Sequence, residues 1–156
     1  IMEINVFAPI ALTRAVLPSM LQQDQGRVVF ISSVAGYVAT PHRSTYAASK
    51  HAINGFADAL RAETHATGVD VTLVCPGYVR SEISTSAMTG TGQAQGYEDA
   101  VNAAGMDTVA AARTIVAGIA KRRREVHVGG KEVLAIYLKR WVPGLLARII
   151  PGQAPS

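Results

Sequence analysis

The chain has 156 residues, a net charge of +4, 49% hydrophobic residues and 17% charged ones. That is one domain's worth of chain, able to bury a core and too apolar for bulk disorder. Its single cysteine, Cys75, excludes an internal disulfide and suits a reducing compartment, and with four scattered histidines it forms no metal-ligand spacing.

No basic and apolar leader opens the chain, and no uninterrupted apolar run reaches bilayer-spanning length, so a cytoplasmic location is expected. Residues 3–23 read as a helix, with Phe7, Ile10, Leu17 and Leu21 near a 3.6-residue period. Pro9 falls in its first turns, and Pro18 should loosen its last. Asn5, taken alone, is a surface polar residue. After a polar turn, the β-branched and aromatic run 27–31 is expected as a short buried strand ending in Ser32 and Ser33. Thr40-Pro41 argues for loop over 36–44. Residues 45–67 form a second long helix. Its apolar stripe is Ile53, Phe56, Ala57 and Leu60, while Ala47, Ala48, Ala52, Gly55 and Ala59 thin the rest of its surface.

Residues 69–75, VDVTLVC, are a second buried strand stopped by Pro76-Gly77, with Cys75 as a core thiol. Strand–helix–strand order implies a parallel sheet with right-handed crossovers, and ligands of such sheets sit beyond the C-terminal strand ends. Residues 82–106 are irregular and polar, and a loop of this length reads as a lid or a disordered segment; Met88, Tyr97 and Met106 are candidate pocket residues. Asp107 should cap a helix to about Arg123, with Val109, Ala112, Val116 and Ile119 inward. The cations Lys121 to Arg124 complement that helix end, which sets nucleic acid aside. Residues 125–128 are a short strand. The apolar segment 133–150, interrupted by Lys139, Arg140, Pro143 and Arg148, does not sort cleanly to one face. A pocket or subunit contact is preferred there over an anchor on a membrane surface. Residues 151–156 should fray.

The chemistry concentrates between Ser33 and Lys50. Tyr46 and Lys50 stand one helical turn apart and share a face. A neighbouring ammonium stabilises a phenolate, which makes the phenol a proton donor and acceptor near the operating pH. Ser33, at a strand end, can donate to the same substrate oxygen. Without Lys50 and Ser33, Tyr46 would be an ordinary half-buried helix residue.

Ser33 in FISSVAG, Tyr46-Ala47-Ala48-Ser49-Lys50, Asn5 in INVFAPI and Pro76-Gly77-Tyr78-Val79-Arg80-Ser81 follow one another in an order that resembles the short-chain dehydrogenase/reductase family. The resemblance spans about residues 1–128, with a looser extension to the C-terminus. It implies an α/β fold, part of a doubly wound, Rossmann-like parallel sheet flanked by helices and incomplete in this chain. Residues 1–130 would be the catalytic half of that domain, with 82–106 as its mobile substrate loop and 131–156 as a C-terminal extension. The implied activity is hydride transfer between NAD or NADP, NADP preferred, and an alcohol or ketone. The implied catalytic set is Tyr46, Lys50, Ser33 and Asn5, with Asn5 holding a water that links the lysine to solvent. Tyr46, Lys50, Pro76, Gly77, Val79 and Ser81 would bind cofactor, Lys50 on the ribose hydroxyls and the Val79 backbone and Ser81 hydroxyl on the carboxamide. The family commonly has Thr at the Ser81 position. The implied partners are a small neutral carbonyl or alcohol substrate and a second copy, as homodimer or homotetramer through helices 3–23 and 45–67. The glycine-rich turn that seats a pyrophosphate does not occur in these residues, so the catalytic half of a longer reductase is expected. A truncated, non-enzymatic scaffold acting through helix-face contacts is the alternative.

Overall fold

Gly26–Ile31 forms β1, Val69–Pro76 forms β2 and Glu125–Val128 forms β3, in a parallel sheet of order β1-β2-β3. A computed structural model of the chain describes residues 1–80 and 103–153. The register runs from Gly26 opposite Val69 to Ile31 opposite Val74, and from Leu73 opposite Glu125 to Pro76 opposite Val128. β1 is paired on one side among the described residues. Because successive strand side chains alternate in direction, Val28, Phe30, Val71, Leu73 and Cys75 share one face and Val74, Val126 and Val128 the other.

The first face is covered by helix α2, Ser44–Glu63, which buries Ile53, Ala57 and Leu60 and sets Phe56 edge-on against Phe30 with ring centroids 5.7 Å apart. Ala48, Ala52, Gly55 and Ala59 lie exposed, as the thin surface expected of them. The helix stops at Glu63, short of the expected 67, because the Thr64 and Thr67 hydroxyls turn back to bond the carbonyls of Leu60 and Thr64.

The same face takes helix α1, Ala8–Gln22, preceded by a π-helical turn over Glu3–Phe7. Ile10, Leu17 and Met20 pack on the core, whereas Phe7 and Leu21, expected inward, are exposed. The wider turn shifts Phe7 out of phase with the helix that follows, since a π turn adds a residue to the helical repeat, and Leu21 stands in the last turn of α1. The stretch Glu3–Gln22 also reaches bilayer-spanning length at a mean hydropathy of 1.5, contrary to the sequence expectation. Its packing through Ile10, Leu17 and Met20 places it as a cover of the sheet.

The opposite face is covered by α3, Thr108–Ala120, capped by the Asp107 carboxylate, which accepts from the amides of Val109 and Ala110. Here the inward stripe is corrected. Ala111 and Gly118 are buried and Ile115 packs beside them, while Val109 and Val116 are 57% and 64% exposed. Small residues won the contact because Gly118 lets the helix axis approach Val126 closely. Helices α4, Leu134–Trp141, and α5, Pro143–Ile149, close the described chain and meet at Val142, where Pro143 starts the new helix. Tyr137 of α4 reaches His127, which also pairs with Glu125.

Two stability effects follow. Gly118→Ala would gain ~1 kcal/mol of helix propensity, but its Cβ would sit 2.4 Å from Val126 Cγ2. Overpacking costs about 1–3 kcal/mol, so urea denaturation of the full-length protein should show net destabilisation. Burial, reinforced by the Glu125 charge, pushes the Cys75 thiol up from 9.0 to about 12. The native thiol stays protonated while the unfolded one ionises, so this stabilisation is intact below the unfolded value and is lost as pH rises through the folded one. Cys75→Ala should therefore lose less urea resistance than wild type between about pH 9 and about pH 12.

Candidate active site

The site is built where β1 ends. Ser32, 3% exposed, turns inward and donates to Asn54 Oδ1 at 2.5 Å, and Asn54 Nδ2 donates to the Gly36 carbonyl at 2.9 Å. A Cβ on Gly36 would lie 2.7 Å from both Asn54 Nδ2 and Ser32 Oγ, so glycine is needed for this close approach. The network fixes the loop that carries Ser33. The Ser33 hydroxyl caps the single 3₁₀ turn Val34–Gly36 by accepting from the Ala35 amide at 3.1 Å, and donates to the Pro76 carbonyl at 3.3 Å. Ser33 thus bridges the ends of β1 and β2 and is itself half-buried.

Tyr46 and Lys50 come from the first turns of α2, and both are half-buried. Lys50 Nζ donates to the Ile31 carbonyl at 3.0 Å and lies 5.7 Å from the centroid of the Tyr46 ring. That is cation–π range. Burial lowers the lysine from its usual 10.5. Ser33, Tyr46 and Lys50 therefore gather around one strand end. Asn5, in the π turn, donates to Ser49 Oγ at 3.1 Å, and Ser49 donates to the Tyr46 carbonyl at 2.7 Å. Its amide nitrogen is spent on Ser49, one residue short of Lys50, while its amide oxygen takes no hydrogen bond among the described residues.

The loop after β2 is held from two sides. Glu132 Oε1 accepts from the Tyr78 and Gly130 amides, each at 2.9 Å, and a Cβ on Gly77 would strike the same oxygen at 2.2 Å. Met106 pairs with Val79 through the Tyr78 carbonyl and the Arg80 amide, both bonds 2.9 Å, and Thr108 Oγ1 donates to the Arg80 carbonyl. The pairing uses the groups that flank Val79, so its own N–H and C=O take no part in it. Met106, expected within an irregular loop, is instead pinned in this bridge. Ser81, Met88 and Tyr97 lie outside the described residues.

Two further contacts tie the C-terminal helices to this end of the sheet. Lys139 donates to the Tyr37 carbonyl, and the rings of Tyr37 and Tyr137 stand edge-on to His127 at 6.3 and 5.9 Å. Burial, with Cys75 and Glu125 nearby, raises the Tyr37 phenol far above its usual range. Two open hollows among the described residues, ≈ 180 and ≈ 160 Å³, lie elsewhere, one around Arg61 and Arg124 and one between α1 and β1. No group of three or more His, Cys, Asp or Glu among the described residues could hold a metal.

Ser49, Asn54, Thr108 and Glu132 are missed by sequence reasoning. Asn54 alone left a signal, a polar residue one turn beyond Lys50 beside an apolar stripe.

A family model described as short chain dehydrogenase matches residues 1–92. Over 155 residues the chain is 42% identical to Dehydrogenase/reductase SDR family member 7B of Danio rerio and 47% identical to a Dehydrogenase/reductase SDR family protein 7-like of Anopheles gambiae. Each alignment covers 99% of this chain and 50% or 49% of the relative. The chain thus spans about half the length of the curated relatives it matches. Among solved structures, a short chain dehydrogenase from Burkholderia cenocepacia in complex with NADP superposes with a TM-score of 0.76 at 21% identity, covering 96% of this chain and 56% of the other. One from Burkholderia phymatum in complex with NAD gives 0.74 at 21% identity, covering 100% and 59%. The parallel sheet, its covering helices and the family match agree, and the chain belongs to the short-chain dehydrogenase family.

Proposed function

We propose that this chain is the catalytic half of a nicotinamide-dependent oxidoreductase acting on an alcohol or ketone, with Tyr46 as general acid/base. The observation that carries the reading is Lys50, whose ammonium is half-buried beside the Tyr46 ring and steered there by the Ile31 carbonyl. A cation is taken partly out of water at a cost, and its hydrogen bond to a backbone carbonyl restores only part of it.

The residues present fit the nicotinamide end of the cofactor. Val79 offers a backbone donor and acceptor beyond the end of β2, where open α/β sheets bind ligands. Pro76 and Gly77 shape that approach, and Ser81 would add a hydroxyl. Lys50 would hold the ribose hydroxyls. The bound nicotinamide supplies or accepts the hydride, as NAD or as NADP. Tyr46 gives a proton to the substrate carbonyl oxygen in reduction and takes it back in oxidation. The Lys50 ammonium stabilises the negative charge that develops on the phenol oxygen. Ser33, which donates to the Pro76 carbonyl in the free chain, would release that bond and turn its hydroxyl to the same substrate oxygen. Asn5 steadies the first turn of α2 through Ser49, and its unspent amide oxygen suits it to a proton relay behind Lys50. The thin exposed surface of α2 suits a subunit contact between copies of the full-length protein.

Tyr46→Phe in the full-length protein, assayed for nicotinamide-linked turnover of a simple ketone, should lose about 10²–10⁴-fold in kcat with folding retained, as expected for removal of a positioned proton donor. Near-normal turnover would rule the mechanism out. Lys50→Met should lower turnover while raising stability at neutral pH. Burial disfavours the charged lysine in the folded state, so the cost is full below its lowered folded value and is relieved as pH rises toward 10.5. The stability advantage of Lys50→Met in urea melts should shrink along that same rise.

A further inference from the structure

Helices α4 and α5 carry apolar side chains on the outside. Leu134 and Trp141 follow one stripe of α4, seven residues apart, with Trp141 79% exposed. Leu145 and Ile149 follow one stripe of α5, four residues apart, while Leu146 turns the other way and is buried, anchoring the helix. Val142, between the helices, is exposed as well. These residues sort to outward stripes that the raw sequence pattern obscured, because the break at Val142 restarts the helical phase.

The charge around the stripes has one sign. Residues 133–156 contain Lys139, Arg140 and Arg148 and no acidic residue. Lys139 is engaged with the Tyr37 carbonyl, whereas Arg140 and Arg148 are exposed and form no ion pair among the described residues. A second copy is a poor occupant, since a contact of this segment with itself would gather Arg140 and Arg148 of both copies in one patch with no acidic residue to meet them. A groove-binding peptide is also a poor fit, since neither hollow described above includes these residues. A tryptophan beside aliphatic residues, rimmed by arginine, is the composition that settles at a headgroup layer.

We infer that α4 and α5 dock this protein on an anionic bilayer surface, with Trp141, Leu145 and Ile149 in the headgroup layer and Arg140 and Arg148 on lipid phosphates. The inference does not depend on the proposed chemistry. The segment is fastened to the loop after Ser33 through Lys139 and Tyr37, so docking would also fix how that loop faces the lipid.

The test uses full-length protein and the difference between the emission of wild type and of Trp141→Phe. Because the readout belongs to one residue, binding through other parts of the protein does not imitate it. Phosphatidylserine-containing vesicles should blue-shift this difference spectrum, phosphatidylcholine vesicles should shift it little, and salt should reverse it. Replacing both arginines, Arg140→Gln with Arg148→Gln, should weaken the titrated response roughly 25-fold, about fivefold for each cation removed. Leu145→Ser with Ile149→Ser, folded by circular dichroism, should abolish it. An unchanged spectrum with either vesicle overturns the inference. So does a lipid-independent shift that grows with protein concentration, which would assign the face to a second copy. A shift with polyglutamate but not with vesicles would assign it to an acidic protein and overturn it too.

Discussion

The bond between the Lys50 ammonium and the Ile31 carbonyl joins helix α2 to the last residue of β1. An ammonium loses solvation when it is half-buried, and a backbone carbonyl restores only part of that loss. The group remains because its position fixes two others. Tyr46, one turn earlier, is held with its ring near the cation, and the strand end that supplies the carbonyl also carries Ser32 and Ser33. If the lysine moves, the phenol loses its charge neighbour and the strand end loses its tether together.

Around that bond the fold invests in rigidity. Ser32, Asn54 and Gly36 form a buried polar network in which the serine and amide groups find partners, the condition under which such networks specify one arrangement. The loop after β2 is set with comparable care, by Glu132 on one side and Met106 on the other. Both loops leave the C-terminal edge of a parallel sheet, where strands end together and neighbouring loops converge. Rigid strands therefore present Ser33 and Val79, and a helix N-terminus presents Tyr46.

Most of the framework was legible in the sequence. β-Branched runs gave the strands, and Ile53, Ala57 and Leu60 gave the inner side of α2. The positions of Ser33, Tyr46 and Lys50 were legible because their spacing is local, strand end to next helix. Two departures come from helical phase: the π turn shifts Phe7 relative to α1, and the break at Val142 restarts the phase between α4 and α5. In α3 the larger aliphatic stripe reads as inward, but close approach to Val126 rewards the small residues. Asn54 and Glu132 stayed hidden because their partners lie 18 to 22 and 54 residues away in the chain.

The bridge between Val79 and Met106 has a bearing on how the frame of the site is closed. Residues 80 and 106 are stitched together by backbone bonds, and Thr108 locks the junction from the side. Once the two stems are joined, each doubling of the intervening chain adds only about 0.6 kcal/mol of closure entropy. The frame around Ser33, Lys50 and Glu132 is thus closed at this junction by its own hydrogen bonds, and the length of chain between the two stems weighs on it only through that slowly growing entropy.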